Sequence, residues 1–249
     1  MLSVSFSSPD YIGHRFGPNS IEIEDMYLRL DKEIGDFINY LDNRIGKNEY
    51  LIFLTADHGV AYIPAFANEY KIPGGTQENS EIRKLLNVEV NNKLQIQNAV
   101  SYVINSQVYL NDSAIKDGDR AKVKQLIKKY LVALPAISHA FDLEQLHSLS
   151  LPEHLKMVVE NGYSQERSGD IQFIYKPQWF DGWDTGTTHG AWNPYDSHIP
   201  LIWFGWNIKP GKLYRHVYMT DIAVTVSALL QIQMPNAATG KVISEILQH

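Results

Sequence analysis

The sequence predicts an α/β fold, and three stretches carry that prediction. Leu2-Ser3-Val4-Ser5-Phe6 alternates apolar and polar residues as a strand does. From Ile23 to Ile45, apolar residues recur at three- and four-residue steps, the signature of an amphipathic helix. The run Tyr50-Leu51-Ile52-Phe53-Leu54 is apolar on both faces, as in a central parallel strand covered on both sides. Strand, helix and strand make a βαβ unit, right-handed by default.

In chain order, Ser7-Ser8-Pro9-Asp10-Tyr11-Ile12-Gly13-His14 leaves the first strand at once. Gly17-Pro18-Asn19-Ser20 is a turn in which Asn19 or Ser20 can cap the following helix, and Glu22 and Glu24 suit its first turn. Ile23, Met26, Leu30, Ile34, Phe37, Ile38, Leu41 and Ile45 then mark about seven turns, and Gly46 is the natural stop. Thr55-Ala56-Asp57-His58-Gly59 closes the second strand. Residues 62 to 77, with Pro64, Pro73 and Gly74-Gly75, read as loop. Residues 80 to 86 suggest a short helix, and 94 to 110 two strands around Asn105-Ser106. Asp117-Gly118-Asp119 precedes a helix bearing Val123, Leu126, Ile127, Tyr130, Leu131 and Leu134, which Pro135 ends; Lys122, Lys124, Lys128 and Lys129 form its solvated face. Phe141 to His147 reads as a short helix, Pro152 as the start of another running to Asn161, and Asp170 to Tyr175 as a strand. Trp179 to Ser197 is an irregular loop, Ile199 to Gly205 a strand, and Thr220 can cap a last helix that stops before Pro235. Residues 1–64 are thus expected to form an α/β core, 65–180 an inserted smaller α+β subdomain, and 181–249 a return to the core.

Composition narrows the function. The chain is 249 residues long, and none of its apolar runs approaches the ~20 residues of a membrane span. A net charge of −6 argues against a nucleic-acid surface, so an anionic substrate has to be attracted locally, for example by a metal. The absence of cysteine excludes disulfides, thiolate zinc sites and cysteine nucleophiles.

The chemistry gathers at strand ends, where open α/β sheets bind ligands. Asp10 and His14 stand four apart, so a helical turn would bring both to one face as a metal pair; the plainer alternative is an N-cap and a surface histidine. Asp57 and His58 follow a buried strand, where an unpaired carboxylate is costly and calls for a cation or donors; here the plainer alternative is a helix cap. His189 lies in Gly186-Thr187-Thr188-His189-Gly190, whose glycines permit close backbone approach. His198 structures its turn, and His139, His147, His154, His216 and His249 read as surface or capping residues. Carboxylate and imidazole are what a hydrolytic zinc site takes from a protein.

Together, residues 8–18, 53–59 and 186–190 resemble the metal-ligand blocks of the alkaline phosphatase superfamily, and most of all those of the monomeric, phosphate-irrepressible bacterial alkaline phosphatases, relatives of the nucleotide pyrophosphatase/phosphodiesterases. The resemblance implies an alkaline-phosphatase-like sheet sandwiched by helices. It implies two zinc ions, one held by Asp10, His14 and His189 and the other by Asp57 and His58. In the family, an Asp and a Thr or Ser nucleophile complete the second site from positions before the first block, so the chain is expected to be a C-terminal fragment. On its own the fragment is then expected to be inactive, with one zinc or none. The long segment between the second and third blocks resembles the monoesterase branch. The implied activity is hydrolysis of small phosphate monoesters by the full-length protein, a monomer exported to the periplasm or secreted. The alternatives are a phosphodiesterase or nucleotide pyrophosphatase, and a non-catalytic metal-binding module.

Overall fold

The computed structural model describes residues 1–182 and 184–247. His249 lies outside the described residues. The chain divides into two compact units, Met1–Arg29 with Asp57–Ile199, and Leu30–Ala56 with Pro200–His249. The α/β class predicted from sequence holds.

The first unit opens with helix α1 (Ser8–Phe16), which has Pro9 in its first turn and Gly17 at its end. Helix α2 (Ile21–Arg44) follows, in this unit up to Arg29 and in the second from Leu30; the Ser20 hydroxyl accepts from Ile23 N at 3.2 Å, which makes Ser20 its cap. The unit's main sheet is antiparallel, in the order β3 (Val100–Ile104), β4 (Gln107–Leu110), β6 (Ile171–Tyr175), β5 (Ile137–Asp142). Asn105 and Ser106 both take positive φ, 51° and 59°, as the tight turn between β3 and β4 requires. Helices α4 (Asn79–Leu94) and α5 (Arg120–Ala133) bury Ile82, Leu86, Val90, Val123, Ile127 and Leu131 with Phe173 of the sheet. The next residue along β6, Ile174, packs instead with Phe141, Leu143, Leu146 and Leu155 of α6 (Glu153–Gly162). Successive strand residues face opposite ways, so the sheet carries a core on each side. Two short parallel strands, β2 (Gly75–Thr76) and β7 (Trp179–Phe180), tie the start of this region to its end.

In the second unit, β1 (Leu51–Thr55) pairs antiparallel with β8 (Leu201–Gly205), and α8 (Thr220–Leu229) buries Ile222, Val224 and Leu229. Tyr50 at the foot of β1 donates its hydroxyl to Asp42 on α2 at 2.6 Å.

Several local expectations are corrected. Residues 2–6 form no strand, and Leu2 and Val4 are exposed; a strand exists only through a hydrogen-bonded neighbour, and among the described residues nothing pairs with them. Strand β1 is half-exposed and paired only antiparallel, so the central parallel strand and the βαβ unit are not formed among the described residues. An apolar pattern does not specify the partner's direction. The stretch read as loop holds α3 (Pro64–Glu69) and β2. The helix expected over 80–86 runs from 79 to 94, and the first strand of the region expected from 94 begins only at Val100. The short helix expected over 141–147 is a 3-10 helix at Leu143–Ser148, while Phe141 and Asp142 close strand β5 (Ile137–Asp142) instead. Lys124 is buried rather than solvated. Its ammonium group lies 3.1 Å from Asp142, 2.7 Å from Glu144 and 3.8 Å from Asp170. Burial pulls its pKa down, but Glu144 and Asp142 outweigh that and hold it above the usual lysine value.

Candidate metal centre

Three stretches of the first unit meet at one point. Helix α1 carries Asp10 and His14 one turn apart, with His14 Nε2 3.4 Å from Asp10 Oδ1. The turn after β1 brings His58 Nε2 to 3.8 Å from the same oxygen, and the loop before α7 (Pro194–Ser197) brings His189 Nε2 to 3.8 Å. The His58 and His189 rings stack at 3.3 Å between centroids, and His14 tilts against His189 at 5.0 Å.

Backbone contacts explain the convergence. Thr187 N donates to His14 O at 2.9 Å, and the Thr187 hydroxyl donates to Ala61 O at 2.7 Å, so one residue ties the third stretch to the first and second. Gly59 N donates to Asp196 O at 2.6 Å, while Asp196 Oδ2 accepts from Ala191 N at 2.6 Å. Two glycines make the approach possible. A Cβ on Gly59 would stand 2.2 Å from the carbonyl oxygen of Tyr195, and one on Gly186, whose φ is +83°, would stand 2.7 Å from that of His14.

The same backbone fixes the imidazoles. His14 Nδ1 lies 2.7 Å from Thr187 O, and His58 Nδ1 lies 2.9 Å from Gly59 O. A carbonyl only accepts, so each Nδ1 carries the hydrogen, and in the neutral imidazole Nε2 then offers its lone pair on the side of the carboxylate. Burial holds the His189 pKa below its usual value, and His58 and His14 push it the same way against the opposite pull of Asp10 and Asp196. Lone pairs converging on a carboxylate oxygen repel unless a cation lies among them. Two ligands ~2.0–2.1 Å from a tetrahedral zinc stand about 3.3 Å apart, close to the separations here. The residues therefore fit a small divalent cation.

Asp10, His58 and His189 each offer a ligand atom within 4.8 Å of the others. His14 reaches Asp10 but stands outside this trio, whereas the resemblance grouped it with Asp10 and His189. Asp57 is exposed, not buried as its strand-end position suggested, and its Oδ2 lies 3.5 Å from His58 Nε2. Sequence reasoning missed the clip made by buried Asp196 and the tautomer-setting carbonyls of Thr187 and Gly59. Backbone acceptors leave no residue-type signal, and Asp196 beside Asn193-Pro194 looks like an ordinary turn.

Known proteins align with this arrangement. The profile of the family described as type I phosphodiesterase / nucleotide pyrophosphatase matches residues 1–196. A Synechococcus elongatus protein named alkaline phosphatase PhoV is 47% identical over 99% of this chain and 45% of its own length. A Myroides odoratus protein named calcium-transporting ATPase is 44% identical over 99% of this chain and 46% of its own. The crystal structure of alkaline phosphatase PafA superposes with a TM-score of 0.89 at 42% identity, over 97% of this chain and 46% of that one. The chain thus spans a little under half the length of these relatives.

Proposed function

We propose a function from one premise: this chain belongs to the type I phosphodiesterase / nucleotide pyrophosphatase family, within the alkaline phosphatase superfamily. It is homologous to alkaline phosphatases, and the protein of which it spans part hydrolyses phosphate monoesters with the help of zinc. The observation that carries this reading is the carboxylate of Asp10 faced by the imidazoles of His14, His58 and His189, drawn from three separate stretches.

In the whole protein, Asp10, His14 and His189 hold one ion and Asp57 and His58 help hold a second. For the chain by itself, the distances favour one ion shared by Asp10, His58 and His189. Zinc bound there supplies Lewis-acid stabilisation of phosphoryl charge and lowers the pKa of a bound oxygen. The residues of this chain do the positioning. Thr187 O and Gly59 O keep the protons of His14 and His58 on Nδ1, so Nε2 stays available as a ligand. Burial, which lowers the pKa of His189, favours its neutral form for the same task.

The nucleophile is a Thr or Ser hydroxyl outside these 249 residues. It attacks phosphorus and expels the alcohol; water then attacks the phosphoenzyme, releasing inorganic phosphate and restoring the hydroxyl. Cleavage of a P–O bond is common to the phosphatase and ATPase in the relatives' names, so nucleoside triphosphates belong among the substrates tested. The protein acts outside the cytoplasm, as the resemblance implies.

The test compares turnover of 4-nitrophenyl phosphate, bis(4-nitrophenyl) phosphate and ATP at equal concentration by the full-length zinc-loaded protein. The monoester is expected to be the best substrate. A strong diester preference would overturn the monoesterase reading in favour of a phosphodiesterase. Appreciable turnover by residues 1–249 alone would refute the placement of the nucleophile.

A further inference from the structure

Beside the metal centre, the first unit contains a cleft of about 610 Å³ that begins at His189. That volume lies within the range of small-molecule sites. Two of its walls follow His189 closely in the chain: Trp192 of the same loop, three residues on, and Tyr195 of α7, six residues on. Val158 of α6 and Tyr163 just past its end line it as well, with Trp179 of β7. Tyr195 cannot swing freely, because its hydroxyl accepts from Gln178 N at 3.1 Å and from Asn193 Nδ2 at 3.3 Å. Trp192 packs against the core beneath α6, and its indole N–H is buried with no partner among the described residues.

The remaining wall is made largely of neutral amides and small groups. Among the described residues it includes one carboxylate, Asp181, already accepting from Asn79 N and Nδ2, and no lysine or arginine. Such a wall offers nothing to a second phosphate, and the chain's net charge of −6 repels one. Aromatic faces and amides suit a flat, uncharged ring.

We propose that this cleft is the leaving-group site: with phosphorus at the metal centre, it takes an uncharged aromatic ring on the substrate, and Trp192, Tyr195 and Tyr163 set the preference for it. The proposal rests on the phosphatase reading above. It makes a ring-bearing monoester preferred over a small alkyl monoester and over a polyphosphate chain.

The experiment is calorimetric binding of inorganic phosphate, methylphosphonate and phenylphosphonate to zinc-loaded full-length protein, wild type and Val158→Trp. Val158 is 44% exposed, so the larger side chain can fill the cleft without disturbing the core. In the wild type, phenylphosphonate is expected to bind about tenfold or more tightly than methylphosphonate, from burial of the ring. In Val158→Trp that ratio falls to near one while phosphate and methylphosphonate bind as before. If Val158→Trp fails to fold, Tyr163→Ala removes a wall and is expected to lose the ring preference in the same way. Equal binding of the two phosphonates in the wild type, or a ratio that neither variant moves, overturns the leaving-group site and leaves the metal centre standing. Failure of inorganic phosphate to bind overturns the phosphatase reading and this site with it.

Discussion

Replacing Gly59 with alanine tests how the fold holds the proposed metal ligands. The added Cβ would lie 2.2 Å from Tyr195 O, and real Cβ contacts essentially never fall under 3.0 Å. The backbone therefore has to separate by at least 3.0 − 2.2 = 0.8 Å at this point. The contact is with backbone, which has no rotamer to change, so the shift passes into the Gly59 N to Asp196 O hydrogen bond and into the spacing of His58 from His189. Metal sites tolerate ligand displacements of only ~0.2 Å. The expected outcome is zinc affinity about 10- to 100-fold weaker, comparable to losing an outer-shell partner, with a stability cost of ~1–3 kcal/mol from overpacking. Competition against a chromophoric zinc chelator gives the first quantity and denaturant unfolding the second. Wild-type zinc affinity in a folded Gly59→Ala protein would refute the claim that the approach of residue 59 to Tyr195 sets the ligand geometry.

Other outcomes follow from individual contacts. Asp10→Asn, His58→Ala and His189→Ala should each remove most bound zinc by elemental analysis, while Asp57→Ala, whose carboxylate is 87% exposed, should remove much less from the isolated chain. Lys124→Met strands buried Asp142 and should cost ~3–5 kcal/mol in denaturant unfolding, with more than half recovered in Lys124→Met/Asp142→Asn. The Arg215 guanidinium holds the Glu245 carboxyl down to about 2, and a depressed carboxylate pKa stabilises the fold above the unfolded value of ~4.3, the benefit draining away as pH falls toward 2. In Arg215→Ala, an NMR titration should place the Glu245 midpoint back near the ordinary value.

The parts of the fold written in local periodicity were legible. Helix α2 announces itself through Ile23 to Ile45 and its Ser20 cap, and Asn105-Ser106 marks the β3–β4 turn. Asp10, His58 and His189, which the structure brings together, were all among the candidates, whereas Asp57 is exposed and His14 lies outside that trio. What stayed hidden depends on partners distant in sequence. The pattern of Leu51 to Leu54 cannot say that Leu201 to Gly205 runs antiparallel beside it. The alternation of residues 2–6 cannot supply a neighbour. Lys124 looks like its exposed neighbours Lys122 and Lys129 until Asp142 and Asp170 are brought to it across the fold. His58 joins Asp10 and His189 in one group of ligand atoms, and Gly59 beside it docks on Asp196, a contact between backbones that no side-chain pattern records.

The most direct measurement is an anomalous difference map at the zinc edge from crystals of zinc-loaded residues 1–249. The expected result is a peak bounded by Asp10 Oδ1 and the Nε2 atoms of His58 and His189, each ~2.0–2.2 Å away. A zinc-loaded crystal with no peak there, or with the His189 imidazole turned away from Asp10, would contradict the metal centre and the phosphatase reading built on it.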